Sequence, residues 1–141
     1  MNLENKLIGY YTTALPGLVF AIVGFSYNAW RLEVSEDNSN IRTASFAVLT
    51  ELAQLEQLIY ATHYDKNIEH ATPRDGWVKV GLIVDLSMLI GEPVERKAVI
   101  LKTVWREDWA SIADERIAVD DLVNAIDGVR GEIKTQLKML Q

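Results

Sequence analysis

Residues 7–30 read LIGYYTTALPGLVFAIVGFSYNAW, twenty-four positions without a charge, followed at once by Arg31, in a chain of which 24% is charged. As a helix such a stretch is about 36 Å long, enough to cross the ~30 Å hydrocarbon core of a bilayer. Thr12, Thr13, Pro16, Ser26 and Asn28 dilute its Leu, Ile, Val and Phe content, so its mean hydropathy lies near the borderline for membrane spans. The pattern predicts a single transmembrane helix over 14–32. Thr12 or Thr13 caps it, and Pro16 falls in the first turn, where a missing backbone N–H does no harm. Residues 1–13 are expected to lie as an interfacial segment, with Leu3, Leu7, Tyr10 and Tyr11 near one face.

A cleaved secretory signal is the competing reading of the same residues. Three features oppose it. The leading MNLENK is weakly basic, the best small-x-small site (Gly24-Phe25-Ser26) has an aromatic middle, and Tyr27 and Trp30 stand where an aromatic belt holds a retained helix. Within the stretch, Gly17, Ala21, Gly24 and Asn28 recur at spacings of four, three and four. They form one stripe of small side chains and are the candidate partner-binding face for a second membrane helix, from another protein or from a second copy.

From Arg31 onward thirteen Lys and Arg stand against nineteen Asp and Glu, a net charge of −6, which makes nucleic acid a poor partner. With no cysteine, disulfides, thiolate catalysis and zinc-thiolate sites are excluded together. Residues 33–141 suffice for one helical domain.

Forty-eight residues, 25–72, contain neither glycine nor proline, so one long helix is able to run from the anchor into the domain; SEDNSN at 35–40 is its only turn-prone point. From there Ile41, Ser45, Val48, Leu52, Leu55, Ile59 and Thr62 alternate spacings of four and three, a coiled-coil-like seam. Thr72-Pro73 starts a second bundle helix that Gly91 closes, Pro93 opens a third carrying Val94, Ala98, Leu101, Trp105 and Ile112, and a fourth carries Val119, Leu122, Ile126, Val129, Ile133 and Leu137. The expected fold is all-α: a single N-terminal transmembrane helix continuing into an antiparallel up-and-down four-helix bundle, with helices over about 41–67, 73–90, 93–113 and 116–140.

Chemistry is sparse in this chain. His63 and His70 are seven positions apart, about 10 Å of helical rise, too far to share one metal ion, and neither has Glu three residues before it, as a carboxylate-bridged di-iron bundle requires. Phosphate-binding glycine loops, haem-attachment motifs and nucleophile elbows are absent. Glu36-Asp37, Glu107-Asp108, Asp114-Glu115 and Asp120-Asp121 read as solvated charge. No cofactor, metal or catalytic residue is expected. Asp85 conflicts most with its surroundings, because VGLIVDLSMLI is apolar nearly all round and a carboxylate there needs a partner such as Lys79, Arg96, Lys102 or a Tyr. With Trp77 and Trp105 it is the candidate polar core or ligand site; Trp109 is a further candidate lining residue.

The layout resembles the extracytoplasmic sensor domains of bacterial chemoreceptors and histidine kinases. The likeness is architectural, covers residues 17–141, rests on no residue motif, and lacks the second membrane helix of those receptors. It implies a bitopic protein whose outer domain interacts with something. The expected function is therefore a membrane-anchored, non-enzymatic interaction or accessory subunit of a membrane complex, with sensing of a small-molecule ligand as the alternative. Lys6 and the free amine precede the stretch and Arg31 and Arg42 follow it, so positive charge hardly decides orientation; the expectation is a bacterial inner-membrane protein with its bundle on the periplasmic side.

Overall fold

The computed structural model describes residues 3–65 and 73–140, with side chains at 14–65 and 74–140. Four α-helices form, α1 (Leu3–Tyr60), α2 (Pro73–Ser87), α3 (Glu92–Asp108) and α4 (Arg116–Met139), and no strand occurs among the described residues. The chain divides into two compact units, Met1–Asp37 and Asn38–Gln141, with α1 contributing to both. The interfacial face of Leu3, Leu7, Tyr10 and Tyr11, the Thr72 cap and His70 lie outside the described residues and side chains.

α1 is helical through 35–40, where the sequence allowed a break. Nothing there forces one: Ser, Glu, Asp and Asn are only mildly unfavourable inside a helix, and Thr43 returns its hydroxyl to the Ser39 carbonyl at 2.9 Å. After Tyr60 the helix widens into a single π-helical turn, Ala61–Asp65.

Among the described residues no helix is long and apolar enough to cross a membrane. The span expected over 14–32 is therefore unsupported by this measure. From residue 14 onward the apolar run is interrupted by Pro16, Gly17, Gly24, Ser26 and Asn28 and ends in Arg31 and Glu33, and the uncharged residues that precede it lie outside the described side chains.

The second unit is a helical bundle. Its core takes Val48, Leu52, Leu55 and Ile59 from α1, Val80 and Ile83 from α2, Val94, Ala98, Leu101 and Trp105 from α3, and Val119, Leu122, Ile126, Val129 and Ile133 from α4. These are the stripes that the three-and-four spacing marks, since positions so spaced share one helix face. Adjacent helices run antiparallel. The start of α2 meets the end of α3, where Gly76 touches Trp105, and Lys97 of α3 reaches Gly128 of α4.

The α2–α3 connection turns at Gly91, whose φ of 147° is open only to glycine, and Pro93 then sits in the first turn of α3. α3 is shorter than the expected 93–113, because its end tightens into turns in which Ser111 N–H donates to the Asp108 carbonyl and Glu115 N–H to that of Ser111. Those turns still carry Ile112 into the core, 2% exposed. α2 likewise gives way to a turn at 88–90, with Ser87 donating its hydroxyl to the Ile83 carbonyl at 2.6 Å.

Candidate functional site

In the first unit the described side chains of α1, from residue 14 to 37, are exposed. Leu15, Leu18, Val19, Phe20, Ile22, Val23, Phe25, Tyr27 and Trp30 are all exposed, Phe20 and Phe25 to more than three quarters. At 100° per residue these positions cover about 220° of the circumference, and the remaining arc holds Gly17, Ala21, Gly24 and Asn28. Gly17, Ala21, Gly24 and Asn28 are exposed among them, and beside Gly17 and Gly24 the space that a Cβ would enter is open. Asn28 shares a shallow depression with Phe25, Arg31 and Ser35. Arg31 makes no ion pair among the described residues. The Tyr27 and Trp30 rings lie 6.1 Å apart, tilted by 46°.

In the bundle, Asp85 is exposed rather than enclosed. It lies on the outer side of α2 with Val78 and Leu82, which are also exposed, as is Leu89 in the turn that follows. Two of its expected cationic partners are held elsewhere. Lys79 bridges to Glu51 at 3.2 Å and also donates to Gln54, both on α1, while Arg96 pairs with Glu92 one turn before it. Burial of the apolar face of α2 is satisfied by Val80 and Ile83, which leaves Asp85 on the far side, hydrated and under no compulsion to find a partner.

The tryptophans pack as core. Trp105 is 1% exposed and its ring covers Gly76, while Trp77 and Trp109 are half-buried against the same cluster. Trp77 is thus at the Trp105 end of α2, and Asp85 is eight residues further on, about 12 Å of rise away. The structure seats Trp77 and Trp105 against one core cluster and places Asp85 on the exposed side of α2. The Trp105 indole N–H has no hydrogen-bond partner among the described residues, nor has the buried Ser45 hydroxyl.

His63 makes a long-range bond to the backbone. Its Nδ1–H donates to the Ile112 carbonyl at 2.7 Å, tying the π-helical turn to the α3–α4 connection. Because a carbonyl only accepts, this bond assigns the proton to Nδ1. Among the described residues no group of three or more His, Asp or Glu is arranged to hold a metal ion.

One cluster escaped the sequence reading. Arg130 of α4 donates to Glu56 of α1 and, at 2.9 Å, to Asp127 one turn back. Burial lowers the guanidinium's proton affinity, but its hydrogen bonds to Glu56 and Asp127 and their charges outweigh this and hold it above its usual value. Tyr60 and Tyr64, four residues apart, stand beside this pair. The only sequence signal is the spacing of the two tyrosines in YATHY.

Around the α3–α4 connection Asp108 is pushed above the usual carboxylate range, first by burial and then by the charges of Asp121, Glu107 and Glu115. The chain matches no protein-family model, no curated protein and no solved structure.

Proposed function

We propose that this chain is a membrane-anchored, non-enzymatic helical-bundle protein that serves as an interaction or accessory subunit of a membrane complex. The observation that carries the reading is that exposed large apolar side chains from Leu15 to Trp30 cover the circumference of α1 except for the arc of Gly17, Ala21, Gly24 and Asn28. A soluble partner helix covers one face; large apolar side chains over an arc this wide call for an environment that wraps the helix, and lipid is that environment. The ring pair Tyr27 and Trp30, followed by Arg31, then marks the headgroup level. Within lipid, Gly17, Ala21, Gly24 and Asn28 offer the line along which a second helix approaches, while the bundle remains outside, on the periplasmic side of a bacterial inner membrane.

The exposed Val78 and Leu82 on α2, with Leu89 in the turn that follows, add a second apolar surface for assembly. The alternative, sensing of a small ligand by the bundle, has less support, because Asp85 and the tryptophans do not converge on a pocket. Alkaline carbonate extraction of membranes tests the anchor: the full chain should stay in the pellet, and its recovery intact in the soluble fraction would overturn the reading. A gentle-detergent pulldown tests the subunit role, which fails if the chain is recovered alone.

A further inference from the structure

The C-terminal end of α1 carries a groove that the proposal above does not use. Tyr60 and Tyr64 line it, with ring centroids 6.1 Å apart and planes tilted by 39°, and His63 meets Tyr64 edge-on at 4.7 Å. Ala53 and Ala61 leave the floor open, and the carboxylates of Glu56 and Asp65 line the same groove. Arg130 already pairs with Glu56 and Asp127, so among the described residues Asp65 is the groove carboxylate without an ion pair. The Tyr60 hydroxyl is held above its ordinary range, first by burial and then by Glu56, Tyr64 and Asp127; of these causes, the Glu56 and Asp127 charges also attract a cation. Aromatic faces and excess carboxylate in one groove select a positive charge over an anion or a neutral group.

We infer that this groove, with Tyr60 and Tyr64 as walls and Glu56 and Asp65 as its anionic edge, receives a lysine or arginine side chain from a basic segment of a partner protein. The inference rests on the reading of the chain as an interaction module. Charge complementarity argues for the occupant, since the part of the chain from Arg31 onward is itself acidic by six charges. A protein side chain fits better than a free amine because the groove is open along the helix. One exposed cation–π contact changes affinity only roughly two- to fivefold, so holding the cation needs the flanking contacts of a chain.

The test titrates the full-length protein into a fluorescently labelled peptide containing arginine and lysine and follows anisotropy. Binding should saturate and weaken with salt. Tyr64→Leu removes a ring but no charge from an exposed position and should weaken binding roughly two- to fivefold, whereas Tyr64→Phe should retain it. Asp65→Asn should also weaken binding, while Asp85→Asn, the same charge change at an exposed carboxylate outside the groove, should not. Equal binding by wild type and Tyr64→Leu, or equal losses from Asp65→Asn and Asp85→Asn, would overturn the inference and leave diffuse acidity as the attractor. Displacement of the peptide by an equal concentration of free argininamide would overturn the assignment to a chain. If the peptide binds the groove but a detergent pulldown recovers no partner, the subunit reading fails and the chemistry of the groove stands.

Discussion

The indole of Trp105 lies on the backbone of Gly76, filling the space that any other residue's Cβ would occupy. A methyl group placed there overlaps Cζ2 and Cη2 of a ring that is 1% exposed and has no free direction in which to move. Gly76→Ala should therefore destabilise the bundle by about 1–3 kcal/mol, the range for overpacking a filled core, measured by urea denaturation. Trp105→Phe should relieve the clash in the double variant, so the two changes together should cost less than their sum.

Leu55 and Ile126 are fully buried in the common core, from α1 and α4 respectively. Replacing either by Ala should cost about 2–5 kcal/mol, while Ile117→Ala, at a position 72% exposed, should change stability by no more than about 0.5 kcal/mol. Thermal denaturation of the three variants beside wild type checks this ranking.

The single side-chain bond from His63 to the Ile112 carbonyl ties the π-helical turn to the α3–α4 connection. His63→Ala should cost about 1 kcal/mol and raise amide hydrogen exchange at both ends of the bond more than in the middle of α4.

Asp108 offers a test by pH. Its folded-state value is raised, so the folded protein holds the proton more tightly than the unfolded chain, and ionisation opposes folding. That penalty is present above the raised value and is relieved as pH falls through it. Asp108→Asn should therefore be more stable than wild type at neutral pH, and the difference should shrink in acid, where both forms are neutral. A denaturation series across pH decides; an advantage that grows in acid would contradict the assignment.

Gly24→Leu should weaken helix association in a membrane reporter assay, while Val19→Leu should leave it unchanged. An isobutyl group at Gly24 fills the line of close approach, and no hydrophobic gain within lipid offsets the lost packing. Equal signals from the two variants would reduce the stripe to mere composition.

The bundle core was legible because its signal is periodic. Val48, Leu52, Leu55 and Ile59, then Val94, Ala98, Leu101 and Trp105, then Leu122, Ile126 and Val129 follow the spacing of a buried helix face and are buried. α2 defeated the same logic, since a helix apolar nearly all round gives no sign of which side faces inward, and Asp85 lies on the outer one. Gly76 was invisible as a core position because glycine has no side chain for hydropathy to register, although the fit of Trp105 depends on it. The pairings of Lys79 with Glu51 and of Arg130 with Glu56 span 28 and 74 residues, and no local spacing encodes contacts of that range. The apolar stretch was plain in the sequence, but Pro16, Gly17, Gly24, Ser26 and Asn28 dilute it, and among the described residues no helix is long and apolar enough to cross a membrane.

The core described above is assembled from the two ends of the bundle's sequence, which has a consequence for biosynthesis. About seventy residues separate Leu55 from Ile126, and at about 5–20 residues per second the ribosome delivers the second on the order of ten seconds after the first. Throughout that interval the seam of Val48, Leu52, Leu55 and Ile59 is without the α4 side chains it packs among in the finished core. A nascent chain in that state offers an apolar strip to chaperones and to other nascent chains, so premature termination before α4 should yield an aggregation-prone product. Emergence of the last helix is the step that closes the core.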